Sequence, residues 1–455
     1  MHKVNKLTEG NIYQALFKLA LPIMGTSFVQ LAYSTTDMMW VGRIGTKAVA
    51  AVGTAGFYTW LAVAFILIPQ IGAEVGVAQA VGRKDPVAAK SYIQHSLQLI
   101  ICLAVVYGAV MFTFRDALIG FFRLGDAEII SQAITYLAIA ACGLLFYFLN
   151  PVLTAIFNGY GDSRTPFWIN SLGLVVNMLL DPLLVLGWGP FPRLEVAGAA
   201  IATVIAQAVV TLVFLRHLRR QPELFAGVKL LQAPDRAYIR QIVTLGLPVA
   251  LKNGLFAAIA MVIARIIAQW GPIPIAVQQV GSQIEAISWM TAGGFQTAMS
   301  TFVGQNYGAK KWQRVQKGYA VGMTIMFVFG LAASLLLIFA ARPLFAIFIT
   351  EAETLRAGII YLRILGLSQL FMCLEATTAG AFNGLGNTVP PSVVSILFNG
   401  LRIPAALLLS ATALGLNGVW WTISISSVFK GTVLPLWYLW HSKQLAAKEL
   451  QTSCA

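Results

Sequence analysis

Charge is what this chain has least of. Asp and Glu together number 17 in 455 residues, and charged residues of both signs make up 11% against 58% hydrophobic. Soluble domains carry about 25% charged residues. That contrast, with a mean hydropathy of +0.77, excludes an ordinary soluble fold and points to a polytopic membrane protein. Cysteine is scarce and unpatterned. Cys102, Cys142, Cys373 and Cys454 form no CxxC pair, which excludes a redox or zinc motif; three fall inside apolar runs and are expected to be buried free thiols. His95, His217 and His441 stand near the ends of apolar runs without ligand spacing. Phosphate-loop and dinucleotide signatures are missing, so nucleotide hydrolysis is not the direct energy source. No His, Ser or paired-Asp arrangement marks a membrane-embedded enzyme, and no cofactor is implied. A net charge of +14 would suit nucleic acid, but the basic residues lie in short loops between apolar runs, where they orient a membrane protein and build no groove. A cleaved leader is not expected, because the first apolar run is long, carries Lys18 and lacks a small-residue cleavage site.

Long hydrophobic runs, by contrast, are abundant. A span needs roughly 20 apolar residues, and twelve such segments are expected near 13–40, 47–72, 91–114, 129–158, 165–187, 196–217, 239–269, 275–300, 317–341, 355–384, 388–413 and 416–440. They come as two matching sets. Residues 136–166 contain YLAIAACGLLFYFLN and then FNGYGDSRTP; residues 361–391 contain YLRILGLSQLFMCLE and then FNGLGNTVPP, offset by 225 positions. Asn177-x4-Pro182 is echoed by Asn399-x4-Pro404, Leu21-Pro22 by Leu247-Pro248, and Ala78-Gln79-x2-Gly82 by Gly304-Gln305-x2-Gly308. Weak internal symmetry in a hydrophobic chain is the mark of a transporter built from two like bundles.

The expected fold is an all-α polytopic membrane protein with twelve transmembrane helices in two pseudo-symmetric six-helix bundles. Residues 1–217 form the first, 218–238 a cytoplasmic linker and 239–455 the second. The connection between the halves carries Arg216, Arg219, Arg220, Lys229, Arg236 and Arg240; with Arg83, Lys84, Lys90, Lys310, Lys311, Arg314 and Lys317 it makes one side strongly basic, which places both termini in the cytoplasm. Six spans return the chain to its starting side, so the repeat is parallel, about an axis along the membrane normal, with a cleft between the bundles.

An ionisable side chain at the centre of a span costs about 2.5–3.5 kcal/mol on insertion scales, so each one asks for a reason. Counting 1.5 Å of rise per residue, Asp37 in span one, Asp181 in span five and Thr203 in span six converge on the outer half of the first bundle. Asn177 lies one turn from Asp181, and Tyr33 one turn from Asp37. Two carboxylates close together in low dielectric share a proton, or bind Na⁺ with amide and hydroxyl oxygens beside them. A neutral hydrogen-bond network is the plainer reading, but the second half reads Ile263 opposite Asp37 and Ile403 opposite Asp181, and an architectural pair would recur. The second half instead carries Lys252, Arg265, Glu285, Glu375, Arg402 and Lys430. Arg265 and Arg402 are expected to be neutralised as buried pairs; Glu285, Glu375, Trp289 and Met290 are the weaker candidates for a substrate cleft, with Phe57, Trp60 and Phe371 as further aromatic lining. Pro22 and Gly25 weaken span one and mark a hinge.

The whole chain resembles the multidrug and toxic compound extrusion (MATE) family. The resemblance rests on LALPIMGTSFVQLAYSTTDMMWVGRIG, on AQAVGRKD and its twin VGQNYGAKK, on FNGYGDSRTP/FNGLGNTVPP, and on NMLLDPLLVLG followed by VAGAAIATV. The pairing of Asp37 with Asn177 and Asp181 looks like the DinF-like branch. The NorM-like branch carries a glutamate early in span seven, where this chain reads Ala250-Leu251-Lys252-Asn253; coupling through the first bundle is therefore favoured. The resemblance implies efflux of drug-like molecules driven by inward flow of H⁺ or Na⁺. H⁺ is preferred, with Na⁺ as the alternative, because two carboxylates with few neutral oxygens suit proton sharing. The expected protein is a monomer of a bacterial inner membrane exporting small amphiphilic, often cationic, substrates. A lipid or lipid-linked oligosaccharide flippase of the same broad superfamily is the second reading, kept open by Lys252, Arg265 and Arg402.

Overall fold

The computed structural model describes residues 7–219 and 228–453; the linker residues 220–227, Arg220 among them, and Cys454 lie outside the described residues. Among the described residues there is no strand. The chain is a series of helices: α1 (Ile12–Gly42), α2 (Thr46–Arg83), α3 (Pro86–Thr113), α4 (Arg115–Gly120), α5 (Ala127–Tyr160), α6 (Arg164–Val185), α7 (Glu195–Leu218), α8 (Arg236–Ala268), α9 (Pro272–Gly308), α10 (Trp312–Phe339), α11 (Ala341–Ala346), α12 (Ala352–Gly384), α13 (Val389–Gly400), α14 (Arg402–Ser410) and α15 (Leu416–Ser453). Among the described residues ten spans, with α13 and α14 taken as one, are long and apolar enough to cross a membrane. In hydrocarbon every backbone polar group must be satisfied within its own segment, which the helix does.

Each of the twelve expected segments is helical, with differences at the ends. The second runs on to Arg83, well past the apolar run, because residues such as Glu74, Val77 and Ala78 are buried inside the protein. The eleventh is in two pieces. Pro404 has no N–H to give to the carbonyl one turn back, and the ladder is interrupted between Gly400 and Arg402. The ends repeat along with the spans. Lys84 (φ 58°) and Lys310 (φ 56°) close twin helices in the left-handed region, as do Gly161 (φ 95°) and Gly386 (φ 81°) in the two FNGxG motifs. Asp85 and Asp126 cap α3 and α5 by accepting the backbone N–H of Ala88 and Glu128, each at 2.9 Å. The short α4 and α11 add helix between the expected spans. Of the cysteines, Cys373 is buried, whereas Cys102 and Cys142 are exposed free thiols on helix surfaces, correcting the expectation that all three are buried.

The chain folds into two compact units. The first comprises residues 25–250. Its core gathers Ile66, Val77, Ile93, Leu137, Phe148, Phe157 and Phe214 from α2, α3, α5 and α7. The first part of α8 belongs to this unit: a Cβ at Gly246 would run into the Ile68 carbonyl, so the two backbones meet directly there. The preceding segment is tied to α3, where Gln98 donates to the carbonyls of Leu230 (3.0 Å) and Gln232 (2.7 Å), and Asp235 N–H donates to His95 Nε2 (2.9 Å).

The second unit comprises residues 251–453 together with residues 7–24. Leu16, Leu19 and Ile23 of α1 lie in one core with Phe295 and Phe302 of α9, Phe382 of α12 and Tyr438 of α15. Arg314 fastens the start of the chain, donating to the carbonyls of Leu7 (3.1 Å), Glu9 (2.7 Å) and Gly10 (2.8 Å). The compact units thus differ from consecutive halves of the repeat by the first turns of α1 and of α8.

Candidate functional site

The first unit encloses a cavity of about 740 Å³, walled by α1, α2, α5, α6 and α7 and lined among others by Gln30, Tyr33, Asp37, Asn150, Thr203 and Gln207. Close approach of α7 to α6 sets the wall. A Cβ at Gly198 would run into the Leu184 carbonyl, and one at Gly173 into Val210, so only glycine lets the two helices pack this tightly. Thr203 Oγ1 then reaches across to Asp37 and donates to Oδ2 at 3.0 Å. On α6, Asn177 and Asp181 are completely buried one turn apart, and Asn177 Nδ2 donates to Asp181 Oδ1 at 3.2 Å. The carboxyl groups of Asp37 and Asp181 adjoin one another, and both interact electrostatically with Tyr33. All five residues read from sequence are therefore brought together. Tyr33, Asp37 and Thr203 face the cavity; Asn177 and Asp181 stand behind its wall.

The pair is short of donors. Asp37 Oδ1, Asp181 Oδ2 and Asn177 Oδ1 are buried oxygens with no hydrogen-bond partner. A carboxylate is acceptor-only when ionised, and an unsatisfied buried acceptor costs about 1–3 kcal/mol. A proton or a small cation placed among these oxygens supplies what they lack.

A second layer of polar groups went unread in the sequence. Asn150 Nδ2 donates to Gln207 Oε1 at 2.6 Å, Thr211 Oγ1 donates to Asn150 Oδ1 at 2.7 Å, and Gln207 stands beside Tyr33. Tyr136, Tyr147 and Gln70 also face the cavity. The available signal was amides inside apolar runs, since Gln70 and Gln207 ask for partners there as much as a charge does.

Among the described residues the second unit carries no such pair. Its cavity is about 170 Å³ and is lined by Lys252, Trp289, Gly293, Gln296, Met372 and Glu375, with three alanines. Of the weaker sequence candidates, Glu375 and Trp289 meet here. Met290 lines neither cavity, and Glu285 lies apart, accepting from Gln369 Nε2 at 3.4 Å beside Tyr361. Glu375 is paired, with Lys430 Nζ at 3.0 Å from Oε2 and Ser395 Oγ donating to Oε1 at 2.8 Å. The expected buried pairs at Arg402 and Arg265 do not form. Arg402 is buried but donates to two hydroxyls, Ser426 Oγ (2.6 Å) and Ser427 Oγ (3.3 Å), with its guanidinium over Phe256. Arg265 is exposed on its helix. Serine hydroxyls on α15 take the Arg402 hydrogen bonds, with Glu375 and Glu285 as electrostatic neighbours and not as bonded partners, which the sequence pattern did not anticipate. At the hinge positions α1 is one unbroken helix through Pro22, and a Cβ at Gly25 would sit 2.6 Å from the Phe167 ring.

An all-helical, twofold-repeated chain with polar groups held inside apolar spans is the build of a membrane transporter, not of an enzyme. The chain belongs to the MatE family, whose model matches residues 22–183 and 248–408, one block in each half of the repeat. Members of that family work without a resident cofactor. The chain is 28% identical over 445 residues to the probable multidrug resistance protein NorM of Thermotoga maritima, covering 96% of this chain and 95% of that protein. Among solved structures it is similar to MATE in the straight conformation (25% identity, TM-score 0.90, covering 98% of this chain and 100% of the other) and in the bent conformation (24% identity, TM-score 0.91, covering 98% and 99%).

Proposed function

We propose that the protein is a secondary active multidrug efflux antiporter of the bacterial cytoplasmic membrane, exporting small amphiphilic molecules in exchange for inward H⁺. One observation carries the coupling site: the adjoining Asp37 and Asp181, flanked by the donors Thr203 and Asn177, while the second half has Ile263 and Ile403 in their places. Efflux is supported by the chain-long similarity to a protein named for multidrug resistance. In this reading the protein acts as a monomer with both termini in the cytoplasm.

A proton entering between the carboxyl groups removes a buried charge and turns one acceptor into a donor for the other. The hydrogen bonds from Thr203 and Asn177 rearrange, and α1, lacking one ladder bond at Pro22, bends between Pro22 and Gly25. MATE structures of similar fold have been solved in a straight and in a bent conformation. The ion must favour one conformation by a few kcal/mol, since a ligand of equal affinity for both shifts nothing. H⁺ is preferred to Na⁺ because two adjoining carboxyl groups suit the sharing of one proton.

The test is drug flux in proteoliposomes under separately imposed pH and sodium gradients. Asp37→Asn fills the same volume without a titratable group and is expected to lower pH-driven flux at least tenfold while the protein still purifies as a folded species. Wild-type flux in that variant sinks the coupling assignment. Transport that stalls without sodium at a fixed pH gradient reverses the choice of ion.

A further inference from the structure

The cavity of the second unit has an unusual balance of charge. Three cations, Lys252, Arg402 and Lys430, lie in one electrostatic neighbourhood with two carboxylates, Glu285 and Glu375. Glu375 lines the cavity but is already engaged, one oxygen with Lys430 and the other with Ser395, and Glu285, outside the lining, is held by Gln369. Lys430 is spent on Glu375, and Arg402 on its two serines. Lys252 remains. It lines the cavity, is half-buried, donates no hydrogen bond among the described residues, and has Glu375 only as an electrostatic neighbour. A partly buried ammonium whose neighbouring carboxylate is committed to Lys430 and Ser395 gains from meeting a further anion.

The remainder of the lining says what the anion is attached to. Trp289, Met372 and the alanines 292, 376 and 379 give an apolar wall with one aromatic face, and Gln296 adds an amide. A cavity of roughly 150 Å³ holds a benzene ring, so 170 Å³ suits one substituted ring and not a larger polycycle. Gly293 opens the site, since a Cβ there would meet nothing within 4 Å.

We propose that this cavity binds the anionic aromatic end of a transported amphiphile, a ring bearing a carboxylate or similar singly charged acid, with Lys252 as the counter-ion. This rests on the reading that the protein is a transporter whose second unit contacts substrate, and it shifts the expected substrate class from cations toward aromatic acids. The ring packs on Trp289 and Met372; the acid accepts from Lys252 Nζ, and Gln296 is placed to donate beside it.

The test is equilibrium binding to the purified full-length protein in lipid nanodiscs, without any gradient, so that failure of this site and failure of coupled efflux are read separately. Three probes share one ring: benzoate, the neutral benzamide and the cationic benzylammonium. Wild type is expected to bind benzoate at least tenfold more tightly than either of the others. Lys252→Gln should erase that preference by weakening benzoate alone, and Lys252→Arg should keep it. Gly293→Leu projects a side chain into open space, so the fold is retained, and it should abolish benzoate binding by filling the cavity. Equal or tighter binding of the ammonium probe by wild type overturns the proposal, as does unchanged benzoate binding in folded Gly293→Leu. A uniform loss across the three probes in Lys252→Gln assigns that lysine a merely structural role and overturns it as well.

Discussion

At the level of single residues, the first-unit site was legible because charge is conspicuous in an apolar run. Asp37 and Asp181 stood out by cost, and Asn177, Thr203 and Tyr33 by helical spacing from them. The Asn150–Gln207–Thr211 chain was harder to read, because its amides signal a need for partners but not which ones, and those partners lie on other helices. Thr203 is the neutral group most open to test. Thr203→Val keeps the shape but leaves Asp37 Oδ2 without its donor, and should lower stability by about 1–3 kcal/mol, read as a fall in thermal midpoint together with an altered pH dependence of flux. A second residue-scale outcome concerns the exposed turn before α5. Lys47 Nζ reaches Asp126 at 2.9 Å and Glu128 at 2.6 Å, and the Lys47 hydrogen bond, followed by the Glu128 backbone N–H, holds the Asp126 carboxyl below the usual carboxylate range. A carboxyl depressed on folding contributes stability above its unfolded pKa of about 3.9 and loses it as pH falls. Lys47→Met should therefore lower the thermal midpoint slightly at pH 6, with the difference from wild type shrinking toward zero below pH 4.

Among the elements, the spans were readable from length and hydropathy, and their ends were not. α2 continues as a helix to Arg83 because protein, not lipid, surrounds its last turns, and the break between α13 and α14 depends on which carbonyl Pro404 leaves unpaired. Tight crossings were likewise invisible, since 40 glycines give no hint of which ones face a backbone. Gly246 is such a position. Gly246→Ala drives a methyl into the Ile68 carbonyl of α2, and because backbone cannot swing aside the cost should be about 1–3 kcal/mol, measured as thermal midpoint in detergent. Gly293→Ala, with open space at its Cβ, is the matched control and should be neutral or slightly stabilising, because Ala favours helix.

On the scale of the whole molecule, the repeat and the twelve helical segments were legible in the sequence. What the repeat could not reveal is that the first turns of α1 and of α8 are buried in the unit opposite to their own half, because that depends on which core accepts Leu16, Leu19 and Ile23. The basic loops predict sidedness. A single cysteine at Leu231, which is fully exposed, introduced into a cysteine-free background, should react with membrane-impermeant maleimide only after the cell is opened; labelling of intact cells would invert the topology. The exchange of first turns also bears on the order of synthesis. Residues 7–24 leave the ribosome first, yet their partners Phe382 and Tyr438 are made among the last. The core around Leu16 and Leu19 is therefore complete only once α15 has been made, and a polypeptide stopped after α12 would lack Leu434 and Tyr438 from it.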